Sequence, residues 1–256
     1  MNEILRTENI TKKFGGLIAV NNVTISIKRG SITAIIGPNG AGKTTFLNLI
    51  SGVIYPDTGR IYFEGIDITR KPPYERAKLG ISRSFQSNSV LQSLTVFDNM
   101  RASIIGVKNS MRFWDLINIL QRKSDGELYR EIHEIIDNMG LKGREWLLAQ
   151  HLTQAEQRVL DIAMAIAAKP KLLLLDEPTS GLAAEDVPRI IKLIKSLKEA
   201  TSNLTIILVE HKLEVVKSLA DRVIVMHEGR ILADGSYNDV VSNGEVIEAY
   251  LGASDA

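Results

Sequence analysis

The residues with the clearest potential for chemistry form a glycine-rich segment directly after the predicted strand Ser31–Ile36. The segment matches the pattern G-x-x-x-x-G-K-[ST] and reads Gly37, Pro38, Asn39, Gly40, Ala41, Gly42, Lys43 and Thr44. Glycines let such a loop curl until its backbone N–H groups converge on phosphate oxygens, and the following helix adds its positive end. Lys43 supplies a cation for the outer phosphates, and the Thr44 hydroxyl is an oxygen ligand suited to Mg²⁺. The segment predicts a nucleoside triphosphate site, with a tight glycine-rich turn as the alternative.

Two further polar sites follow apolar strands. Asp176 and Glu177 come after the leucine-rich run Lys171–Leu175, at a strand end where open α/β sheets bind ligands. We expect Asp176 to hold Mg²⁺ through water and Glu177 to polarise the attacking water as general base, with an acidic strand end as the alternative. His211 follows Thr205–Val209, where it could sense a γ-phosphate or be structural. The other histidines are predicted to be structural: His133, His151 and His227.

The elements that must position these residues alternate along the chain. Apolar segments rich in β-branched residues alternate with helix-period segments, which predicts an α/β domain with a largely parallel sheet. The predicted strands are Leu5–Asn9, Val23–Ile27, Ser31–Ile36, Arg60–Phe63, Ile81–Phe85, Lys171–Leu175, Thr205–Val209, Arg222–Met226 and Arg230–Ala233. The first strands are separated by GG, RG and DTG, and such short turns predict antiparallel pairing in a small additional sheet.

A helical insertion is predicted between about Thr95 and His151, where the strand signal disappears. Its apolar stripe ends at Gly140 and comprises Leu128, Ile132, Ile135, Ile136 and Met139. A later helix has a similar stripe of Val187, Ile190, Ile191, Ile194 and Leu197.

Composition excludes several classes of protein. The 256 residues include 31 Lys and Arg against 30 Asp and Glu, a net charge of +1 that disfavours nucleic acid as a partner. The absence of Cys removes disulfides and thiolate metal sites, no apolar run is long enough to cross a bilayer, and the polar start predicts no export. We therefore expect a cytoplasmic protein.

The motifs together resemble those of the ATP-binding subunit of an ABC transporter, from about Leu5 to Gly252. The motifs that carry the resemblance are Phe14, GPNGAGKTT, Gln86 in SRSFQ, LTQAEQR, LLLLDEPTSGL and His211 in VEH. The sequence segments KKFGGLIAVNNV, SLTVFDNM and EAYLG resemble those of the ATPases of branched-chain amino-acid importers. The ATPases of urea or amide importers and of a lipopolysaccharide exporter have similar segments and remain alternatives.

The resemblance implies a fold and a set of partners. The fold would be a P-loop NTPase core with a mostly parallel sheet, a small antiparallel β subdomain and an inserted helical subdomain. Within a single domain 1–256, residues 1–93 and 159–256 would form the core and residues 94–158 the helical signature subdomain. The implied ligands are ATP and Mg²⁺. The implied partners are a second ATPase subunit and membrane permease subunits, with the chain peripheral on the inner face of the cell membrane.

The resemblance also implies roles for individual residues. Phe14 would stack on adenine, with a core phenylalanine as the alternative. Gln86 would contact Mg²⁺ and the attacking water, Thr45 would extend the phosphate loop, and His211 would contact the γ-phosphate. The segment Ser87–Met100 could line a groove for the membrane subunits, or could pack in the interior. Its candidate lining residues are Val90, Leu91, Val96, Phe97 and Met100.

The signature segment departs from the family pattern Leu-Ser-Gly-Gly-Gln. It reads LTQAE from Leu152 to Glu156, with Thr153 in place of Ser and Ala155 in place of the second Gly. Thr153 and Glu156 have capping-box spacing, and the three residues Thr153, Ala155 and Glu156 would face the nucleotide of the partner subunit. We expect the Ala155 Cβ to weaken that contact. Ala183 also replaces an Asp found in many members, which suggests a heterodimer with a better signature on its sister; a tolerant homodimer is the alternative.

The same motifs also occur in proteins that do not act in transport. A soluble ABC ATPase of DNA repair or translation usually has coiled-coil insertions or two cassettes, and neither pattern occurs here. A nucleotide-binding regulator with little turnover is disfavoured by Glu177, but Ala155 in the signature keeps it as an alternative.

Overall fold

The computed structural model describes residues 2–84, 90–108, 126–201 and 203–251. Its strands are β1 (Glu3–Phe14), β2 (Leu17–Lys28), β3 (Ile32–Ile36), β4 (Thr58–Phe63), β5 (Ile66–Asp67), β6 (Ile81–Ser84), β7 (Leu172–Asp176), β8 (Thr205–Val209), β9 (Arg222–His227) and β10 (Arg230–Gly235). Its helices are α1 (Lys43–Ser51), α2 (Pro73–Leu79), α3 (Val96–Lys108), α4 (Gly126–Asn138), α5 (Gln154–Ala167), α6 (Val187–Ala200), α7 (Leu213–Leu219), α8 (Tyr237–Val241) and α9 (Gly244–Leu251). None of the helices within these ranges has the length and apolar character needed to span a membrane.

The six-stranded sheet has the order β10-β9-β3-β8-β7-β6, and every neighbouring pair is parallel except β10 with β9. All residues of β3, β7 and β8 are buried, as expected for central strands covered on both faces. Their near-continuous apolar runs explain why the sequence places these strands to within one residue.

The smaller sheet is antiparallel and has the order β2-β1-β4-β5. The GG turn joins β1 to β2, where Phe14 pairs with Leu17, and β4 pairs with β1. The expectation that the RG turn also joins antiparallel partners is wrong. After Arg29 and Gly30 the chain leaves this sheet, and β3 pairs in parallel with β8 and β9 instead. A short turn fixes a reversal of direction, but whether a strand pairs with its predecessor depends on tertiary packing.

The helical insertion follows the predicted stripe. Within the described residues between 95 and 151 the β pairing is one isolated bridge, Thr95 with Leu148. On α4, Ile132 and Ile136 are fully buried, and Gly140, with φ of 73°, lies just beyond the helix end. Leu160 of α5 and Leu173 of β7 belong to the same apolar cluster, so the insertion packs on one face of the parallel sheet.

Helix α1 lies between the two sheets. Phe46 and Leu49 of α1 share an apolar cluster with Ile61 of the antiparallel sheet and Ile207 of the parallel sheet. The phosphate-loop segment leads into this helix, so it is anchored by both sheets. In the parallel sheet, Val209 lies beside Ile35 on one side and Asp176 on the other. The chain segments that follow β3, β7 and β8 therefore meet at one edge.

Candidate active site

The glycine-rich loop has a backbone that side chains would obstruct. Gly37 has φ of 150°, and a Cβ there would lie 2.1 Å from the Met226 carbonyl oxygen. Gly42 has φ of 97°, and its Cβ would lie 2.2 Å from the carbonyl oxygen of Ala19. Gly42 also caps α1 without a side-chain hydrogen bond, which leaves the first N–H groups of the helix without a side-chain acceptor. The loop thus has the open, positive end that an anion requires.

Lys43 is folded back onto this loop. Its Nζ donates to the carbonyl oxygens of Gly37 at 2.8 Å and Pro38 at 2.9 Å, and the residue is only 6% exposed. Burial lowers the pKa of Lys43, while the charges of Glu177 and Asp176 oppose that change. The cation, the loop and the two carboxylates are therefore close enough to act on one ligand.

Asp176 is almost fully buried at the end of β7. Its Oδ2 accepts a hydrogen bond from Arg83 Nη2 at 2.8 Å, whereas its Oδ1 has no partner among the described residues. Arg83 also donates to the side chains of Asn48 at 2.6 Å and Ser51 at 3.2 Å on α1. A buried carboxylate oxygen without a donor fits a role as a Mg²⁺ ligand, directly or through water.

Glu177 and His211 form a close pair. Glu177 Oε1 lies 2.7 Å from His211 Nε2, and the Glu177 N–H donates to the Val209 carbonyl at 2.9 Å. Glu177 has φ of 47°, an unfavourable backbone for a non-glycine residue. The two adjacent carboxylates have different partners, because Asp176 binds Arg83 and Glu177 binds His211.

Phe14 lies at the end of β1 and is 49% exposed, with Lys12 Nζ 5.5 Å from the ring centroid. The alternative of a core phenylalanine is therefore wrong. An exposed aromatic face is available to stack on a flat ligand.

Comparisons with known proteins agree with this geometry. A family model described as ABC transporter matches residues 20–180, and one described as branched-chain amino acid ATP-binding cassette transporter matches residues 230–256. The chain is 36% identical to a probable branched-chain amino acid transport ATP-binding protein LivG of Archaeoglobus fulgidus, covering 99% of this chain and 97% of that protein. It is 32% identical to the high-affinity branched-chain amino acid transport ATP-binding protein BraF of Pseudomonas aeruginosa, covering 97% and 98%. The chain belongs to the ATP-binding subunits of ABC transporters.

Solved structures support the same assignment. A nucleotide-free ATP-binding cassette from an ABC transporter superposes with a TM-score of 0.85 at 33% identity, covering 97% of this chain and 98% of that chain. The ADP conformation of MJ1267, an ATP-binding cassette of an ABC transporter, gives 0.85 at 34% identity, covering 98% and 100%. The fold is thus the predicted ABC ATPase fold, and the chain is an ATPase of this family.

The signature helix of this ABC subunit begins as predicted. Thr153 caps α5 by accepting from the Glu156 N–H at 3.2 Å, and the Glu156 carboxylate accepts from the Thr153 N–H at 3.0 Å. Arg144 donates to the same carboxylate at 3.1 Å. Burial would raise the pKa of Glu156, but these hydrogen bonds and the Arg144 charge lower it. The carboxylate therefore stays charged at the helix start.

The Ala155 methyl group lies away from the exposed surface of the signature segment. Ala155 is 2% exposed and packs inward, whereas Thr153 and Gln154 are exposed. On a helix the position after an exposed residue turns toward another face, and here that face is the interior. The methyl group is therefore not part of the exposed surface at the start of α5, where Glu156 carries a negative charge.

Two predictions concern the segment between β6 and α3. Gln86 and Ser87–Ser89 lie outside the described residues. Of the proposed groove residues, Val96, Phe97 and Met100 are buried in the core and Val90 packs against it. The interior alternative therefore holds for these residues, and Leu91, 46% exposed, is the groove candidate that remains at the surface.

The sequence reasoning did not single out Arg83. This residue is buried and bridges Asp176 to α1, so it shapes the candidate metal site directly. A charged residue in the middle of the predicted strand Ile81–Phe85 was the available signal, because an arginine buried within a sheet requires a partner.

Proposed function

We propose that this ATPase is the motor of an importer of branched-chain amino acids or similar small polar solutes. Similarity to transport ATPases over nearly the whole chain, together with the C-terminal match at residues 230–256, carries the proposal. The chain would bind permease subunits at the inner face of the cell membrane. ATP binding would close a pair of ATPase subunits, and hydrolysis would reopen it.

The site residues divide the reaction among them. Backbone N–H groups of Gly37–Thr45 hold the phosphates, Lys43 leaves its loop carbonyls to bind the outer phosphates, and Phe14 stacks on adenine. The oxygens of Thr44, Gln86 and Asp176 would hold Mg²⁺, which when bound would neutralise negative charge on the phosphates. Glu177 orients and deprotonates the attacking water, and His211 binds the γ-phosphate and keeps Glu177 in place.

The exposed surface at the signature segment supports a heterodimer. Thr153 and Glu156 would lie at the partner's nucleotide with Ala155 buried beneath them, and Ala183, six residues after Glu177, is exposed. Glu156 adds a negative charge where a γ-phosphate is expected, so a sister subunit with a neutral signature would complete this chain's own ATP site better than a second copy would. A homodimer is the competing assembly.

The test couples turnover to transport. The chain is co-expressed with permease subunits of a branched-chain amino-acid importer, and vesicles containing the complex are assayed for ATPase activity and for leucine uptake. Glu177→Gln should lower both by about a hundredfold or more while ATP still binds. Lys43→Ala should abolish ATP binding. Uptake of urea without leucine, or ATPase activity with no bound membrane subunit, would favour the alternative systems.

A further inference from the structure

Glu210 is a buried carboxylate to which the proposed reaction gives no role. It follows β8, precedes His211 and is 2% exposed. Its Oε1 accepts from the Thr179 backbone N–H at 3.0 Å and from the Thr179 hydroxyl at 2.7 Å. Its Oε2 accepts from the His211 backbone N–H at 3.1 Å. A carboxylate is tolerated away from water only when donors such as these stabilise it.

The partner of Glu210 lies in the turn that carries Glu177. Thr179 is fully buried, and within this turn the Ser180 N–H donates to the Glu177 carbonyl at 3.0 Å. Lys212 Nζ also donates to the Thr179 carbonyl at 3.3 Å. The side chains of Glu210 and Lys212 therefore bind the turn after β7 to the chain after β8, in addition to the Glu177–His211 pair.

This fastening explains how a strained residue is held. Glu177 has φ of 47°, a left-handed conformation that is unfavourable for a non-glycine residue. Such a conformation persists when the surrounding structure determines it. The hydrogen bonds from Thr179 to Glu210 fix the chain two residues after Glu177, and the bond from His211 fixes the other member of the catalytic pair.

We propose that Glu210 is a positioning residue that locks the Glu177–Ser180 turn to the backbone of His211 and so holds the Glu177–His211 pair in its reactive geometry. The inference rests on the proposed roles of Glu177 and His211. The same turn continues to Ala183, in the segment expected at the partner subunit. Glu210 therefore also connects that interface to the residue expected at the γ-phosphate.

Two substitutions remove the lock from opposite sides. Glu210→Gln keeps the size of the side chain, but its amide nitrogen cannot accept a hydrogen bond, so either Thr179 or His211 loses its acceptor. Thr179→Val removes the hydroxyl and keeps the shape, which provides a second route if Glu210→Gln fails to fold. Each variant should lower kcat about tenfold or more, because small displacements of reacting groups are costly. KM and the Kd for Mg²⁺-free ATP should stay within about twofold, since the loop at Lys43 is unchanged.

The controls separate this inference from the proposed function. Glu214→Gln removes an exposed carboxylate on α7 and should change neither kcat nor Tm. The double variant of Glu210→Gln and Thr179→Val should lose less kcat than the product of the two single losses, because both substitutions alter the contact between Glu210 and Thr179. If Glu177→Gln retains turnover, the proposed function fails. If Glu177→Gln is inactive but folded Glu210→Gln and Thr179→Val keep kcat within about twofold, the positioning role is wrong. Parallel losses of kcat, ATP affinity and Tm would assign Glu210 a structural role and would also overturn the proposal.

Discussion

At the scale of single residues, the side chains of the candidate site differ widely in their exposure to solvent. Phe14 is exposed at a strand end, whereas Asp176 is buried with one oxygen facing Arg83 and the other without a donor among the described residues. Lys43 lies between these extremes, folded onto carbonyl oxygens of its own loop. The residue type indicates which chemistry each side chain can perform. Its burial and its present partners determine whether it can bind a ligand without first moving.

Ala155→Gly tests the orientation of the signature methyl group. Because Ala155 is buried in the first turn of α5, the substitution removes an apolar group and favours the unfolded chain. We expect the free energy of unfolding to fall by about 1–2 kcal/mol, measured by urea denaturation, with no gain in ATPase rate. Gln154→Gly, at the exposed neighbour, should cost less. A severalfold faster ATPase after Ala155→Gly would show that the methyl group obstructs the partner's nucleotide after all.

At the scale of elements, α1 is held at both ends. Its start carries Lys43, and its last turn is capped by Arg76 of α2, whose Nη1 donates to the carbonyls of Leu49 at 2.5 Å and Ile50 at 2.8 Å. Arg76 also donates to the carbonyls of Lys71 and Thr69. Burial lowers the pKa of Arg76 to about 10, so the guanidinium stays charged at neutral pH beside the negative end of the helix.

Arg76→Ala should therefore lower the free energy of unfolding strongly while changing the affinity for ATP little. The substitution leaves buried carbonyls without donors and opens a cavity, and we expect a loss of about 3 kcal/mol or more in the free energy of unfolding. Affinity for ATP should change by less than about threefold in the fraction that remains folded. Arg70→Ala, at an exposed position in the same segment, should stay within about 0.5 kcal/mol of the parent. Equal effects of the two substitutions would contradict the capping role.

The two sheets are joined by a carboxylate at the turn between β4 and β5. Glu64 binds Lys171 at 2.5 Å, ahead of β7, and Arg29 at 2.6 Å, ahead of β3. The hydrogen bond from Lys171 lowers the pKa of Glu64, burial opposes this, and Arg29 lowers it further. Because the pKa in the folded protein lies below the ordinary value of 4.5, the contribution to stability is present above pH 4.5 and is lost as pH falls through the lowered value.

Glu64→Gln should show this pH dependence. At pH 7 we expect a loss of up to about 1 kcal/mol in the free energy of unfolding, since the pairs are partly exposed and screened. The difference from the parent should shrink in urea titrations repeated at successively lower pH below 4.5. Glu214→Gln should give no difference at either end of this pH range. A difference that grows on acidification would mean that Glu64 does not act through its charge.

At the scale of the whole molecule, the surface expected to contact a second ATPase subunit contains some motifs that match the family pattern and some that depart from it. The nucleotide loop, Asp176, Glu177 and His211 follow the family pattern, whereas the signature and Ala183 depart from it. The structure adds that Glu156 is charged and half-buried at the start of α5, beside Arg144. The molecule would thus hold its own ATP well and would serve a partner's ATP less well.

Glu156→Gln should strengthen self-association. In the Glu177→Gln background, which keeps ATP bound, we expect the chain alone to remain monomeric by light scattering. Adding Glu156→Gln removes the negative charge opposite the γ-phosphate and should increase the dimer fraction severalfold. Glu199→Gln, exposed near the end of α6, serves as the charge-matched control. A stable dimer of the chain without Glu156→Gln would favour the homodimer.

Local chemistry was enough to predict the main sheet and most of the candidate residues. The strands before Gly37, Asp176 and His211 are continuous apolar runs, and the glycine pattern has few other physical uses, so the amino-acid order alone locates these elements and the groups that follow them. Strands β1 and β2 are longer than predicted. The missed end of β1 is rich in polar residues, whereas the missed start of β2 is the apolar run Leu17–Val20, which lies close to a glycine pair and was not assigned to a strand.

Features that depend on neighbours distant in the chain required the folded molecule. The chain passes from one sheet to the other at the RG turn because β3 pairs with β8 and β9, which are distant in sequence. No local sequence pattern predicts this pairing. The inward direction of Ala155, the bond of Arg83 to Asp176 and the fastening of Thr179 by Glu210 each join segments that meet only after folding. Sequence spacing sets the position of a residue along an element, whereas side-chain burial and long-range partners follow from how the elements pack.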